Sequence, residues 1–355
     1  MRHPRIAVIA PDVVTPGGMA VQAWALVEGF RREGYAVEFI PTNPHFPRGL
    51  RWLRRYPYAR TLLNEALYLS RLRQLRRADV AHVFSASYWS FLLGPGPAMV
   101  LARRLGKRVV LNYHSGEAED HLARWGAFVH PWLRLADEIV VPSEYLRGIF
   151  ARHGYGARVI PNVVEISRFR YRERALLRPR LFSNRNFESY YRVDDTLEAF
   201  GLLKACCPEA TLTLAGSGSQ ERRLRRLAAA IGPDGIRFVG RVEPAAMPGL
   251  YDEADIFVNS SVIDNQPVSV LEAFAAGLPV VSTATGDIAT MVRDGETGLI
   301  VPPGDPGAMA KAVATLLENQ ERAAAISRRA RREVERFSWS RVRDEWAAAY
   351  SCAVT

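Results

Sequence analysis

The sequence predicts an α/β protein built from two strand-and-helix domains, and three observations carry that expectation. Short apolar runs of strand type alternate with amphipathic helical stretches along the whole chain, from Arg5–Ala10 to the closing segment near Tyr350. The 355 residues suffice for two domains with a core each. Finally, Gly, His, Arg and carboxylate residues recur directly after apolar runs, the place where open α/β sheets bind ligands.

Composition narrows the class. With 48% hydrophobic and 24% charged residues the chain is ordinarily globular, which excludes general disorder. A net charge of +10 invites an anionic partner, whether nucleic acid, membrane surface or phosphorylated substrate, without choosing among them. Cys206, Cys207 and Cys352 have neither zinc-site spacing nor the count of a disulfide framework, the pattern of a reducing cytoplasm. The opening MRHPRIAVIAPD is too short in its apolar part for a signal peptide. The uncharged run Val80–Ala102 has the length of a membrane span, but GPGP at 94–97 and its Ser and His content read as strand, loop and helix. No repeat of domain-building period is visible.

Taken in order, Arg5–Ala10 is a buried strand. A loop with Gly17 and Gly18 leads into an amphipathic helix that ends near Gly34, and Tyr35–Ile40 is the second strand. This opening lacks a G-x-G-x-x-G pattern, so no dinucleotide is signalled. Lacking Cβ atoms, Gly17 and Gly18 let backbone amides approach a phosphate or sugar, although a loop that merely needs positive φ reads the same way. Arg48–Arg77 is dense in arginine, with Glu65 its only acid and Trp52, Leu53, Tyr56, Tyr58, Leu62, Leu63, Leu67 and Leu69 interleaved. Such a segment suits an anionic membrane surface, a helix packed on the sheet, or, with no accompanying motif, a nucleic acid. Val80–Phe84 and Arg108–Tyr113 are the next strands. His114 follows the second of them at once, where catalytic residues of α/β sheets collect, though a lone His is commonly structural. Glu117, Glu119, Asp120 and His121 come next on a helix, as a ligand-facing or simply solvated face.

Glu138–Ser143 is a strand entering a helix, and Arg158–Phe169 a strand followed by an extended turn. The Arg-rich stretch 168–180 lacks apolar periodicity and marks a linker, giving domains at 1–170 and 178–335 and a closing helix at 336–355. Arg185 ends the next strand, as an anion-gripping fork or a surface ion pair. Thr211–Ala215 is a strand leading into a glycine turn at Gly216, a weak signal alone. Ile236–Gly240 is another strand, with Arg241 and Val242 at its edge. The most informative stretch is Asn259–Thr283: strand, acidic loop, helix, strand. Asp264 lies just past the strand, Pro267 stands where the helix begins, and the amides of Val268 and Ser269 would face a bound anion. Glu272 lies eight residues beyond Asp264, in the second helical turn. Taken as an isolated pair, Asp264 reads as a turn former and Glu272 as a solvated helix residue. GLIVPPGD supplies a last short strand, and helices from Pro306 to about Tyr350 close the chain.

Asp264, Pro267, Glu272, Ala273, Ala276, Gly277, Pro279, Val280 and Val281 together resemble the acid-x7-Glu signature of family-4 glycosyltransferases, retaining enzymes of GT-B fold. The resemblance runs through nearly the entire chain, including the interdomain passage PSEYLRGIFARHGYGARVIPNVV. It implies two Rossmann-like domains facing each other across a cleft. The first lies on the acceptor side, the second binds the nucleotide-sugar, and the C-terminal helix crosses back. It also implies roles. Gly17 and Gly18 line the donor diphosphate, His114 contacts the donor sugar, and Arg185 grips the diphosphate. Gly216 lies on the donor side, and Gly240, Arg241 and Val242 seat the base. Asp264 and Asn265 meet the sugar, Glu272 the ribose, and the Val268 and Ser269 amides the phosphate. Two departures stand out. The family's first acid is usually Glu followed by Gly, whereas Asp264–Asn265 here has a shorter reach. The family's Lys six residues after the Arg is replaced by Tyr191, so either Arg192 supplies the second charge or backbone amides do.

The resulting expectation is a retaining, metal-independent glycosyltransferase without a cofactor, since Arg185, helix amides and Arg192 can take the leaving-group charge. Its partners are a nucleotide-sugar donor and a glycan or lipid-linked acceptor, with Glu117, Asp120 and His121 on the acceptor side. The arm 48–77 adds an anionic membrane surface, hence a cytoplasmic protein peripheral on the inner membrane face, working in surface polysaccharide or glycolipid synthesis. Two alternatives stand beside it. A sugar-nucleotide epimerase of the same fold would need no acceptor. A non-catalytic nucleic-acid binder would use only the charge, and the Asp264–Glu272 pattern argues against it.

Overall fold

A computed structural model describes residues 3–12, 17–174, 176–232 and 234–351. Cys352 lies outside them. The chain forms two compact units, Met1–Val163 with Val342–Thr355, and Val164–Arg341.

The first unit contains β1 (Ile6–Ala10), α1 (Gly18–Arg32), β2 (Val37–Pro41), α2 (Pro57–Arg71), β3 (Val80–Ser85), α3 (Trp89–Leu93), α4 (Pro95–Arg104), β4 (Arg108–Tyr113), α5 (Ala118–Leu133), β5 (Glu138–Val141), α6 (Glu144–Arg152) and β6 (Arg158–Val159). Its strands form one parallel sheet in the order β2-β1-β3-β4-β5-β6. Helices cover both faces of a parallel sheet, so its strands carry continuous apolar runs, and β1, IAVIA, is buried throughout. The second unit contains β7 (Arg180–Asn184), α7 (Val193–Cys206), β8 (Thr211–Ala215), α8 (Glu221–Ile231), β9 (Ile236–Gly240), α9 (Met247–Glu253), β10 (Ile256–Asn259), α10 (Val268–Ala276), β11 (Val280–Thr283), α11 (Ile288–Met291), β12 (Leu299–Val301), α12 (Pro306–Glu318) and α13 (Gln320–Glu333). Its sheet is also parallel, ordered β12-β11-β10-β7-β8-β9. The strand order reverses between β1 and β3 in one sheet and between β7 and β10 in the other. At such points neighbouring loops diverge and open a crevice at the strands' carboxyl ends.

The last helix, α14 (Trp339–Tyr350), belongs from Val342 onward to the first unit. There Trp346 stacks on the buried His82 at 4.8 Å, Tyr350 Oη lies 2.6 Å from His82 Nδ1, and Arg108 Nε donates to the Ala349 carbonyl at 2.9 Å.

One stretch differs from its sequence-based description. The passage between units falls at Val163–Val164, upstream of the expected linker, and the stretch 168–180 sends Phe169, Arg174 and Leu177 into the interior of the second unit. Arg174 is buried, and its guanidinium donates to the carbonyls of Tyr251, Ala254, Ala276 and Gly277 at 2.8–3.1 Å, with Asp255 3.2 Å from Nε. Those carbonyls lie at the ends of α9 and α10, where helices leave acceptors unpaired, and five fixed donors suit them. Periodicity cannot reveal an arginine that serves as a C-terminal cap.

The basic arm divides into a 3-10 segment Arg48–Arg55, α2 and a 3-10 segment Leu72–Arg77. Tyr68, Leu72 and Leu75 enter the core, while Trp52, Tyr56, Tyr58, Leu62 and Leu69 are exposed, so its packed and its interfacial descriptions each fit one face. The run Val80–Ala102 is β3, α3 and part of α4. Among the described residues no helix is long and apolar enough to cross a membrane.

Candidate active site

In the second unit the reversal point between β7 and β10 holds a compact polar cluster. Arg185, the first residue past β7, donates from Nε to Asn259 Oδ1 at 2.7 Å, and a terminal nitrogen pairs with Asp264. The ion pair is nearly enclosed, with side-chain exposures of 9% and 11%. The Tyr191 ring underlies the guanidinium at 5.0 Å. Asn259 is itself fixed, donating to Ser282 Oγ at 2.9 Å and accepting from Ser261 Oγ at 2.8 Å. Asp264 also caps its own turn, accepting from the Asn265 amide at 3.0 Å. Gly286 makes the arrangement fit: it has φ +57°, and a Cβ there would lie 2.1 Å from the Asp264 carbonyl oxygen. The shorter acid at 264 is thus drawn onto Arg185.

Beside this cluster, α10 starts after Pro267 without a side-chain cap. Ser269 in its first turn is buried, and its Oγ has no hydrogen-bond partner among the described residues. One turn on, Glu272 accepts from the buried Tyr251 hydroxyl at 2.8 Å, and the same hydroxyl lies 3.1 Å from the Ser269 carbonyl. Burial pushes the Glu272 carboxyl up to about 7, while the Tyr251 hydrogen bond and the charges of Arg168 and Arg185 pull it down. Because the folded value exceeds the ordinary 4.5, the stability that this group contributes is fully present below 4.5 and is lost as pH rises through about 7. Glu272→Gln, which keeps the shape without the charge, is therefore expected to melt higher than the wild type at pH 8 and equally at pH 4, as thermal unfolding would show.

The other residues singled out in this unit divide. Arg192 adopts a left-handed conformation, φ 46°, and turns to Asp194 at 3.2 Å and Asp195 at 2.5 Å in the first turn of α7. Its charge is matched there, and Tyr191, not Arg192, stands beside Arg185. Gly216 has a packing reason, since a Cβ would lie 2.0 Å from the Arg185 carbonyl oxygen. Gly240 ends β9 with φ +68°, followed by exposed Arg241 and half-buried Val242. Sequence reasoning missed Asn259, Tyr251 and the support given by Tyr191. The string NSS at a strand end was the only signal for the first.

In the first unit, His114 follows β4, its amide bonded to the Ser85 carbonyl at 3.0 Å and its ring stacked on Phe84 at 5.1 Å. Burial lowers its pKa to about 3, so the imidazole is neutral, and its Nε2 has no partner among the described residues. The ring borders a small cavity with Gln22, Asn112, Asn162 and Trp346. Gly17 and Gly18 form the exposed start of α1, Gly17 at φ +152°. His121 is fully buried, hydrogen-bonded through Nδ1 to Tyr113 Oη at 2.8 Å and held neutral by burial, and its Nε2 has no partner among the described residues. Its spacing from Ala118 and Trp125 on α5 was the overlooked sign of the core face. Asp120 lies on the outer side, accepting from Tyr88 Oη at 2.6 Å, with Glu117 half-buried nearby.

Comparison with known proteins gives this geometry a lineage. Residues 179–319 match the family described as glycosyl transferases group 1, and residues 16–168 match glycosyltransferase family 4. The chain is 27% identical over 381 residues to the phosphatidyl-myo-inositol mannosyltransferase of Mycobacterium leprae, covering 99% of this chain and 97% of that protein. It is 30% identical over 356 residues to the glycogen synthase of Mycobacterium tuberculosis, covering 90% and 81%. The crystal structure of Anabaena HepE in complex with UDP-glucose shares the fold, with a TM-score of 0.76 at 16% identity over 98% of this chain and 99% of that one. The two parallel sheets have the GT-B architecture, and the protein belongs to the family-4, group 1 glycosyltransferases.

Proposed function

We propose that the protein transfers a sugar from a nucleotide-sugar to an acceptor hydroxyl with retention of anomeric configuration and without a divalent metal. The observation that carries the site assignment is the enclosed Arg185–Asn259–Asp264 cluster at the reversal point, beside the start of α10, the helix that carries Glu272. Arg185 holds the departing diphosphate, helped by the start of α10 and the Ser269 hydroxyl. Glu272 accepts hydrogen bonds from the ribose, Asp264 orients sugar hydroxyls, and neutral His114 positions the reactive end of the sugar. The bond from the anomeric carbon to the diphosphate oxygen breaks while the acceptor oxygen bonds the same carbon on the same face. The acceptor proton passes to the leaving phosphate oxygen, so no protein nucleophile is needed. Asp264 sits on Arg185 as a stand-in anion, and donor binding shifts that guanidinium's charge to the diphosphate. HepE was solved with UDP-glucose, which makes uridine donors the first to try.

The test needs no acceptor. Slow hydrolysis of α-linked nucleotide-sugars in EDTA is followed by NMR. Retention yields the α-sugar first. First-formed β-sugar, or turnover only with added metal, contradicts the proposal.

The acceptor is a glycan or a lipid-linked glycan, and the arm 48–77 lays its exposed face on an anionic membrane. Each Arg near such a surface contributes about 1 kcal/mol. Arg54→Glu with Arg55→Glu is expected to abolish flotation with phosphatidylserine-containing vesicles at low salt, and an unchanged float would remove the arm's role.

A further inference from the structure

We propose a second binding site in the first unit: an aromatic platform formed by Trp89, Trp125 and Phe128, edged by Tyr88 and Asp120, which stacks on a pyranose ring of the acceptor glycan. The inference rests on the transferase reading but concerns residues that take no part in holding the donor.

Three observations converge on it. Trp89 and Phe128 are 66% and 65% exposed, yet they are not scattered. Trp89 meets Trp125 edge-on at 5.3 Å, Trp125 meets Phe128 at 6.2 Å, and Tyr88 closes the group against Trp125 at 5.6 Å. Contiguous aromatic surface left in water marks a place of interaction. Next, the platform begins in the loop that leaves β3, beside the reversal point between β1 and β3. The carbonyl of Ser85, the last residue of β3, accepts the His114 amide at 3.0 Å, so the platform's root is tied to that candidate residue. Third, Tyr88 has φ 56° and ψ −133°, a backbone state costly for a residue with a Cβ. It is held there by its hydroxyl bond to Asp120 at 2.6 Å and by edge contact with the His121 ring at 5.1 Å. Strain of that kind persists where the surrounding structure enforces it, typically at functional sites.

The chemistry selects the occupant. The C–H face of a pyranose is apolar and packs on an aromatic ring, while its hydroxyls need donors and acceptors at the rim. Asp120 supplies acceptors, and Arg124, 2.8 Å from Asp120, supplies donors. Glu117 adds a carboxyl whose pKa burial and Asp120 raise. An anionic lipid headgroup would meet two carboxylates here, whereas the cations that suit it lie on the arm. A neutral polyhydroxy ring meets no such opposition.

The experiment places the full-length protein on a broad glycan array and titrates the best-bound oligosaccharide by intrinsic tryptophan fluorescence. The wild type is compared with W89A and F128A, both exposed positions whose loss leaves the core intact, and with D120N. Nucleotide affinity is measured on the same preparations, and flotation with phosphatidylserine vesicles is run alongside. The expected result is a selective set of glycans whose affinity falls about tenfold or more in W89A and F128A and less in D120N, with nucleotide affinity unchanged. No glycan bound by the wild type, equal glycan affinity in W89A, or a loss confined to vesicle binding would each overturn the proposal. Failure of the wild type to bind any nucleotide would strike the donor assignment instead, a separate outcome.

Discussion

Arg185→Ala lowers the transfer rate by about 100- to 1,000-fold, the range found when one preorganised charge-stabilising donor is removed from a transition state. The reason is positional. Asn259 fixes Nε, Asp264 pairs with one terminal nitrogen and Tyr191 supports the plane, so the fork is set before the donor arrives. Arg185→Lys keeps the charge but cannot bond Asn259 and Asp264 together, and its rate is expected to fall between wild type and alanine. Arg185→Ala also strands the Asp264 carboxylate in a site where it is 11% exposed, which costs stability as well as activity. The double variant Arg185→Met with Asp264→Asn separates the two effects: its melting temperature should recover toward wild type while its activity stays low. Full activity in Arg185→Ala, measured as initial rates with saturating donor, would remove Arg185 from the site.

Arg174→Met is expected to destabilise the second unit by roughly 3–5 kcal/mol, the cost of breaking a buried ion pair from one side. Asp255 has no exposed surface and would keep only Arg180 at 2.5 Å and Arg172 at 3.6 Å, both partly solvated. The carbonyls at the ends of α9 and α10 would lose their donors at the same time. Because these two helices carry Tyr251 and Glu272, nucleotide affinity should fall with stability, although Arg174 touches no ligand. Urea denaturation read at equilibrium, with and without nucleotide, checks both. A midpoint equal to wild type would mean that water replaces the guanidinium at no cost.

Much of the fold was legible because parallel sheets bury both faces of their central strands, so strands such as IAVIA (β1) and IFVN (β10) appear as largely apolar runs. Thr211–Ala215 and Ile236–Gly240 are strands in the structure with the bounds read from sequence. Asp264 and Glu272 stood out in the sequence because their spacing within 259–283 is local, and Arg185 because it directly follows a strand run. Their partners did not. Tyr251 reaches Glu272, and Asn259 reaches Arg185, across strand crossings that no local pattern encodes. Arg174 was misread because a buried arginine that caps helix ends leaves the same composition as a solvated linker. The burial of His121 was not legible because its acidic neighbours, Glu119 and Asp120, lie on the outer side of the same helix, whereas its own i−3 relation to the buried Ala118 points inward.

The measurement that bears most directly on the donor site is calorimetric titration of UDP, GDP and ADP into wild type, Arg185→Ala and Glu272→Gln at pH 6 and pH 8. One nucleotide should bind the wild type selectively and more tightly at pH 8, where Glu272 is ionised. Affinity should be much weaker in Arg185→Ala, and in Glu272→Gln weaker and no longer dependent on pH. Equal affinity in all three proteins, or none for any nucleotide in the wild type, would contradict the assignment of this cluster as the donor site.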